Sequence, residues 1–308
     1  DFCLSRGLGD VYKRQVMTLV QVKLLVIKAI HCVYVRIKYG RKQMHFDLIN
    51  SYNEIDEENR LQSSQARRVE YISTVESLGK YFFPGMKILD CGCGVGIYSL
   101  MYAKLGAEVI ALDIVPKHIN RLSEISVNEN IQLTPVVGDA KDLSRFHSEE
   151  FDLTLCLGPL YHLISEDEQV ACINECSRVT KKDGIIAFAY ISPYSVFPCV
   201  IRGDANRAKS ELVEKIVKEK FISSDDRLCF WTDNYYYTPD DIESRLKMYN
   251  LEIIDHLATD GQSIAFQSVV NNLDEKAFSV WMNYHRLICR ERSILGSSNH
   301  GLIIARKK

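Results

Sequence analysis

The sequence predicts an α/β fold built on a parallel, doubly wound sheet. Short apolar segments alternate with helical segments between residues 87 and 191. The apolar segments are continuous, which is typical of strands buried on both faces. The first of them runs into ILDCGCGVGIYSL (88–100), where Gly92, Gly94 and Gly96 stand between a strand and a helix. A strand, a tight turn and a helix in this order indicate the repeating unit of such a sheet.

Five strands and three helices account for residues 87–191. Pro116 is expected to open one of the helices, because the N–H group that proline lacks would have no partner at the first helical position. The strands are expected at KILDC (87–91), EVIALD (108–113), QLTPVVGD (132–139), FDLTLCL (151–157) and GIIAFAYI (184–191). The helices are expected over 96–104, from Pro116 towards Asn128, and over 166–180.

The C-terminal part of the chain continues this alternation. Thr238 is the candidate N-cap of a helix that begins at Pro239 and carries acidic residues in its first turn. LEIIDHLAT (251–259) and the closing HGLIIARKK are expected to be the sixth and seventh strands, separated by a helix over 273–292. The predicted sheet therefore has seven strands.

The alternation lapses over residues 192–238, which are predicted to be an inserted lid segment. SPYSVFPC (192–199) is expected to be a loop, 204–220 a charged helix, and LCFWTDNYYYT (228–238) an aromatic strand or hairpin. The rings of this last stretch either cover a substrate or form an apolar layer under the insertion, and both interpretations stay open. They belong to Phe230, Trp231, Tyr235, Tyr236 and Tyr237.

Residues 44–84 are predicted to form an N-terminal helical cap. Apolar side chains recur at a spacing of three, which gives one helical face, and Gly79 lies near the predicted end. This face is formed by Val69, Ile72, Val75 and Leu78. The same region carries side chains that are candidates to close over a ligand, with a solvated helix as the alternative. They are Tyr52, Glu57, Arg60 and Arg68.

Residues 1–43 differ from the rest of the chain. The first 15 residues have no periodicity, and residues 16–40 are apolar but interrupted by Lys23, Lys28 and Arg36. A membrane-spanning helix needs about 20 nearly uncharged residues, so no membrane contact through a span is predicted. An interfacial basic helix is one interpretation. We expect instead a non-native extension ahead of a start at Met44, which leaves residues 44–308 as the functional domain.

Charge and cysteine usage narrow the functional classes. The net charge of −2 combines +7 from residues 1–43 with −9 from residues 44–308. An acidic body lacks the broad basic surface of nucleic-acid-binding proteins, so a nucleic-acid partner is not expected. The ten cysteines include no CxxC pair and no Cys/His cluster with zinc spacing. We expect no metal and a cytoplasmic protein with reduced thiols.

The glycine stretch fits two ligand classes to different degrees. Bare backbone permits the φ and ψ angles of a tight turn and lets a ligand reach free N–H groups at the helix start. Dinucleotide sites use G-x-G-x-x-G, but Ile97 occupies the position of the third glycine here. The observed D-x-G-x-G-x-G resembles the first motif of class I S-adenosylmethionine-dependent methyltransferases. The resemblance covers about residues 86–192, and 239–308 by strand order only.

The resemblance implies a mostly parallel, Rossmann-like sheet with an antiparallel last strand, and S-adenosylmethionine as the cofactor. In that family Asp90 would hold the amino-acid end, Asp113 would accept hydrogen bonds from the ribose hydroxyls, and Asp139 would read adenine. The full set of implied cofactor-binding residues is Asp90, Gly92, Gly94, Gly96, Asp113, Ile114, Asp139, Ala140 and Leu157.

His162 and Tyr161 are the candidate catalytic residues. The resemblance implies that their stretch, LCLGPLYHL (155–163), lies close to the reactive methyl group. His162 is a candidate general base, because an acceptor hydroxyl or ammonium is protonated at neutral pH. Its alternative role is to shape the loop. Tyr161 is a candidate to line the pocket beside the sulfonium.

The acceptor is expected to be a small molecule. Enzymes of this superfamily that methylate base amino groups use Asp/Asn-Pro-Pro-Tyr/Phe after the fourth strand, whereas this chain has Gly158-Pro159-Leu160-Tyr161. The side-chain carbonyl that would accept from the amine is missing. Two alternatives stay open, namely an RNA or protein methyltransferase and a regulatory protein that binds S-adenosylmethionine without turnover.

Overall fold

A computed structural model of the chain describes residues 48–54 and 57–308. The predicted extension over residues 1–43 lies outside the described residues. Within the described ranges, no helix combines the length and the apolar composition that crossing a membrane requires.

A seven-stranded sheet organises the fold, in the order β3-β2-β1-β4-β5-β9-β8. The strands are β1 (Lys87–Cys91), β2 (Glu108–Asp113), β3 (Thr134–Val137), β4 (Phe151–Cys156), β5 (Thr180–Ile191), β6 (Phe221–Ile222), β7 (Asn234–Tyr235), β8 (Leu251–Ala258) and β9 (His300–Lys307). β9 runs antiparallel to both of its neighbours, whereas the pairs among β1 to β5 are parallel. The predicted seven-stranded, mostly parallel sheet with an antiparallel last strand is confirmed.

Helices pack on both faces of this sheet. The α-helices in the part of the chain that the structure describes are α1 (Leu48–Asn53), α2 (Gln65–Leu78), α3 (Ile97–Lys104), α4 (Pro116–Asn128), α5 (Glu166–Val179), α6 (Pro193–Gly203), α7 (Ser210–Glu214), α8 (Pro239–Lys247), α9 (Gln267–Val270), α10 (Glu275–Ile288) and α11 (Arg292–Leu295). Side chains of β5 alternate between two apolar clusters, with Ile186 and Phe188 in one and Ile185 and Ala187 in the other. Burial on both faces explains why the strands are continuous apolar runs.

Local signals set several helix ends as predicted. α4 begins at Pro116 and ends at Asn128. α8 begins at Pro239 behind a capping box, in which the Thr238 side chain accepts the Asp241 N–H and the Asp241 carboxylate accepts the Thr238 N–H.

The strand order reverses between β1 and β4, so the carboxyl ends of these strands open a crevice of the kind that binds ligands in doubly wound folds.

The predicted lid segment differs from its expected structure. SPYSVFPC was expected to be a loop, which is wrong: α6 begins there because the Ser192 side chain accepts the Tyr194 N–H and Pro193 occupies the first helical position. The charged helix over 204–220 is also wrong as a single element. A short helical turn, Ala205–Arg207, follows extended backbone at Asp204. Extended backbone at Lys209 then separates this turn from α7. In 228–238 only Asn234–Tyr235 is a strand, paired with β6.

Candidate functional site

The glycine turn after β1 is held open by backbone conformation and by close packing. Gly92 has φ 77°, and a Cβ atom there would lie 2.4 Å from Cδ of Pro159. Gly96 has φ 84°, and its Cβ would lie 2.5 Å from Cδ1 of Leu122. Both positions therefore exclude a side chain for two reasons: the backbone is left-handed, and an added Cβ would overlap a packed neighbour.

A cavity of about 270 Å³ opens over this turn at the carboxyl ends of β1, β2 and β4. Its volume is close to the lower end of the range for small-molecule pockets, about 300 Å³. Of the predicted site residues, those that line it are Asp90, Gly92, Gly94, Asp113, Ile114, Asp139, Ala140, Leu157, Tyr161 and His162. Gly96 is not among the lining residues. Its contact with Leu122 assigns it to the packing of α3 against α4.

Asp90 brings a buried carboxylate to the floor of the cavity. Its side chain is 1% exposed, and its Oδ2 accepts a hydrogen bond of 2.6 Å from the Ser99 hydroxyl. Burial raises the pKa of Asp90 to about 6, and the hydrogen bond from Ser99 opposes that rise. A cationic group placed beside this carboxylate would stabilise its ionised form.

Asp113 at the end of β2 ties the glycine turn to the start of α4. Its Oδ2 accepts the Gly94 N–H at 2.7 Å, and its Oδ1 accepts the Val115 N–H at 2.8 Å. Nδ1 of His118 lies 3.3 Å from the same Oδ1. The carboxylate thus fixes the turn as well as facing the cavity.

The end of the cavity near β3 is more open. Ile114 is 37% exposed, whereas Ala140 is buried. The Oδ1 atom of Asp139 accepts the Lys141 N–H at 2.9 Å, and the Lys141 ammonium pairs with Glu168 at 2.7 Å. Ile114, Asp139 and Ala140 all line this end of the cavity.

His162 is buried and held by two hydrogen bonds. Its Nδ1 lies 2.9 Å from the backbone oxygen of Asp233, so Nδ1 carries the hydrogen and donates it. Its Nε2 lies 2.8 Å from the Tyr52 hydroxyl and accepts from it in this tautomer. Burial lowers the pKa of His162 to about 4, although the Asp233 carbonyl opposes that shift. The imidazole is therefore neutral at pH 7.

Tyr161 lies beside His162 on the same short helical turn, with ring centroids 4.7 Å apart. Its ring is 6% exposed, and burial raises the pKa of its hydroxyl well above the ordinary value. The phenol is therefore protonated and neutral near pH 7. Both candidate catalytic groups face the cavity as uncharged hydrogen-bonding side chains.

An aromatic cluster closes the cavity above Asp113. The Tyr52 ring meets His118, His162 and Trp231 edge-on, at centroid distances of 5.5, 5.5 and 5.2 Å. The sequence analysis missed His118 altogether, although it falls five residues after Asp113 in the first turn of the helix that follows. Among the predicted lid rings, Tyr236 and Tyr237 are buried in apolar clusters instead.

A chain of charged groups begins at the cavity, which Glu57 and Arg60 line, and continues to residues outside its lining. Arg60 donates to Glu57 at 2.7 Å and lies 3.4 Å from Glu70. His300 Nδ1 lies 3.3 Å from Glu70 and 3.2 Å from Asp260. Although burial alone would lower the pKa of His300, the Glu70 and Asp260 carboxylates raise it to about 9. Two cations of the protein thus neutralise the three carboxylates in large part, which leaves them a poor site for a metal ion.

Comparison with known proteins points to one family. Residues 88–184 match the sequence profile of a family described as "Methyltransferase domain". A ubiquinone biosynthesis O-methyltransferase of Xanthomonas campestris pv. campestris is 29% identical over 119 residues, 39% of this chain and 46% of the relative. Its counterpart in Xanthomonas euvesicatoria is 32% identical over 117 residues, 38% of this chain and 46% of the relative. The chain spans about half the length of the curated relatives it matches.

Two solved structures share the fold. A SAM-dependent methyltransferase of Methanosarcina mazei superposes with a TM-score of 0.52 at 19% identity, covering 75% of this chain and 96% of that chain. The PH0226 protein of Pyrococcus horikoshii OT3 superposes with a TM-score of 0.50 at 18% identity, covering 82% of this chain and 100% of that chain. At these identities the likeness concerns the architecture of the sheet and its helices.

Proposed function

We propose that this chain, whose residues 88–184 match the family described as "Methyltransferase domain", is a class I methyltransferase that transfers a methyl group from S-adenosylmethionine to a small molecule. The observation that carries the proposal is the cavity itself. A bare glycine turn and two buried carboxylates, Asp90 and Asp113, meet there at the reversal point of the sheet. A cytoplasmic location of the protein is part of the same proposal.

The residues around the cavity fit S-adenosylmethionine in three places. Asp90 would bind the ammonium of the amino-acid end. Burial raises the pKa of its carboxyl to about 6, and a cation beside it would stabilise the ionised form. Asp113 would face the ribose. Ile114 and Ala140 would take the faces of adenine, with Asp139 accepting from its amino group.

Bound S-adenosylmethionine supplies an activated sulfonium methyl group. The protein must then align the acceptor, exclude water and take up a proton where the acceptor loses one. Tyr161 would line the pocket at the methyl end. His162 Nε2 would receive the proton, either after the Tyr52 hydroxyl moves aside or through that hydroxyl, since Tyr52 occupies Nε2 at 2.8 Å.

Calorimetry with S-adenosylhomocysteine tests the cofactor assignment. We expect binding by the wild type, a loss of at least about tenfold in affinity for Asp90→Asn, and no change for Asp167→Asn, whose side chain lies exposed on the first turn of α5. Because the ionised form of Asp90 is the one that binds an ammonium, wild-type affinity should fall as pH is lowered through about 6. Absence of heat with folded wild type would refute the proposal.

Transfer of a labelled methyl group into a small-metabolite extract tests turnover. His162→Ala should lower the rate about 10²–10⁴-fold if it is the general base, while affinity for S-adenosylhomocysteine changes little. Tyr161→Phe tests whether the hydroxyl or only the ring is needed. Cofactor binding without any labelled product would instead favour a regulatory role, and label in RNA or protein would name a different acceptor.

A further inference from the structure

The Asp113 carboxylate has little capacity left for a ligand. Three donors of the protein already approach it: the N–H groups of Gly94 and Val115 and Nδ1 of His118. A carboxylate offers about four lone-pair sites, so about one remains. A ribose presents two hydroxyl donors, and Asp113 alone satisfies only one of them.

His118 carries a second acceptor beside Asp113. Its side chain is 4% exposed, lines the cavity and stands in the first turn of α4. Because Nδ1 faces a carboxylate oxygen, Nδ1 carries the hydrogen and Nε2 keeps a free lone pair. Nε2 is buried and has no hydrogen-bond partner among the residues that the structure describes.

We propose that His118 is a binding residue for the sugar, with Nε2 accepting one ribose hydroxyl while Asp113 accepts the other. The proposal deepens the proposed function and rests on it. A buried polar atom without a partner is destabilising, and a ligand hydroxyl at Nε2 removes that cost on binding. The pair therefore selects nucleosides with an intact 2′,3′-diol.

The competing role for His118 is purely structural. Its ring packs edge-on against Tyr52, with centroids 5.5 Å apart, and Nδ1 helps to orient Asp113. Both of these contacts lie away from Nε2. Two substitutions distinguish the binding role from the structural role. The amide of Asn reaches the position of Nδ1, whereas the amide of the longer Gln reaches the position of Nε2.

The experiment measures affinity for S-adenosylhomocysteine and for its 2′-deoxy and 3′-deoxy analogues by calorimetry. Wild type should bind each analogue about 5- to 30-fold more weakly than the parent, the factor for one lost hydrogen bond. His118→Asn should bind the parent about 5- to 30-fold more weakly and should no longer discriminate against one of the two analogues. His118→Gln should recover part of the affinity. His147→Asn, at an exposed histidine, should match the wild type.

Two results would overturn the proposal. One is His118→Asn with wild-type affinity for the parent, and the other is a variant that discriminates against both analogues as the wild type does. If wild type binds the parent and either result appears, only the role of His118 is wrong. If wild type binds none of the three ligands, the proposed function fails as well. Should His118→Asn melt far below the wild type, equal wild-type affinity for all three ligands would still refute the role.

Discussion

The two sides of the cavity are built in different ways. The turn side, residues 90–96 with the end of β2, is held by backbone conformation and by contacts between neighbouring strands. The capping side, residues 48–54 and 57–61, is held by side chains that contact residues far away in the sequence. Tyr52 meets His162 over 110 positions, and Ser51 donates to the Trp231 carbonyl over 180. Substitutions on the turn side should therefore cost more than those on the capping side.

The expected difference in cost follows from the kind of substitution that each side undergoes. A side chain added to the turn must change φ and displace a packed neighbour, so strain and overpacking combine. A side chain removed from the capping side forfeits one hydrogen bond or one ring contact, each worth about 1 kcal/mol. Four measurements test that ranking.

The largest effect is expected for Gly92→Ala. The added Cβ would lie 2.4 Å from Cδ of Pro159 at φ 77°, so we expect a loss of about 2–6 kcal/mol in the free energy of unfolding and no measurable binding of S-adenosylhomocysteine. Gly85→Ala is the matched control, since Gly85 has φ 83° but nothing within 4 Å of the added atom. Denaturant unfolding of both variants measures the difference. Equal losses would show that contact with Pro159 contributes nothing.

The turn side could be predicted from sequence because its structure depends on local backbone conformation, which is also why substitutions there are costly. Its glycines, the acid at the end of β2 and the helix start at Pro116 are local signals that depend on a few neighbouring residues. The seven strands were found because burial on both faces leaves continuous apolar runs.

The capping side could not be predicted, because its contacts depend on tertiary packing. Nothing near Tyr52 in the sequence indicates that its hydroxyl meets His162, or that His118 lies between it and Asp113. The helix at Pro193 was missed for another reason. SPYSVFPC contains two prolines, and the first of them, Pro193, stands at the first helical position, where proline fits.

A pH-dependent contact joins α2 to β9 next to the capping side, whose Arg60 lies 3.4 Å from Glu70 on α2. The pKa of His300 is raised to about 9 between Glu70 and Asp260, so its contribution is complete below about pH 6.5 and is lost as pH rises towards 9. Relative to His300→Asn, the wild type should lose up to about 3 kcal/mol of unfolding free energy across that window. Parallel pH profiles of the two proteins would contradict this expectation.

Tyr52→Phe addresses the contact between the cap and the candidate catalytic histidine. The change removes the hydroxyl that His162 Nε2 accepts from, while the ring can keep its contacts with Trp231 and His118. We expect a loss of about 0.5–1.5 kcal/mol in unfolding free energy and faster dissociation of S-adenosylhomocysteine in stopped-flow measurements. Tyr284→Phe, at an exposed tyrosine bonded to Gln262, is the control and should change neither quantity.

The smallest effect is expected outside the turn side, at the open end of the cavity near β3, where Asp139 is only half-buried. Asp139→Asn keeps an oxygen that can accept the Lys141 N–H and the adenine amino group, and it loses only a solvent-exposed pairing with the Lys141 ammonium at 3.7 Å. Such pairs contribute about 0–1 kcal/mol, so affinity for S-adenosylhomocysteine should change by less than about fivefold. Asp139→Ala, which removes the acceptor, should bind more weakly than Asp139→Asn. If calorimetry finds Asp139→Asn as damaging as Asp90→Asn, charge matters at this end as much as in the buried floor, and exposure does not rank the carboxylates of the cavity.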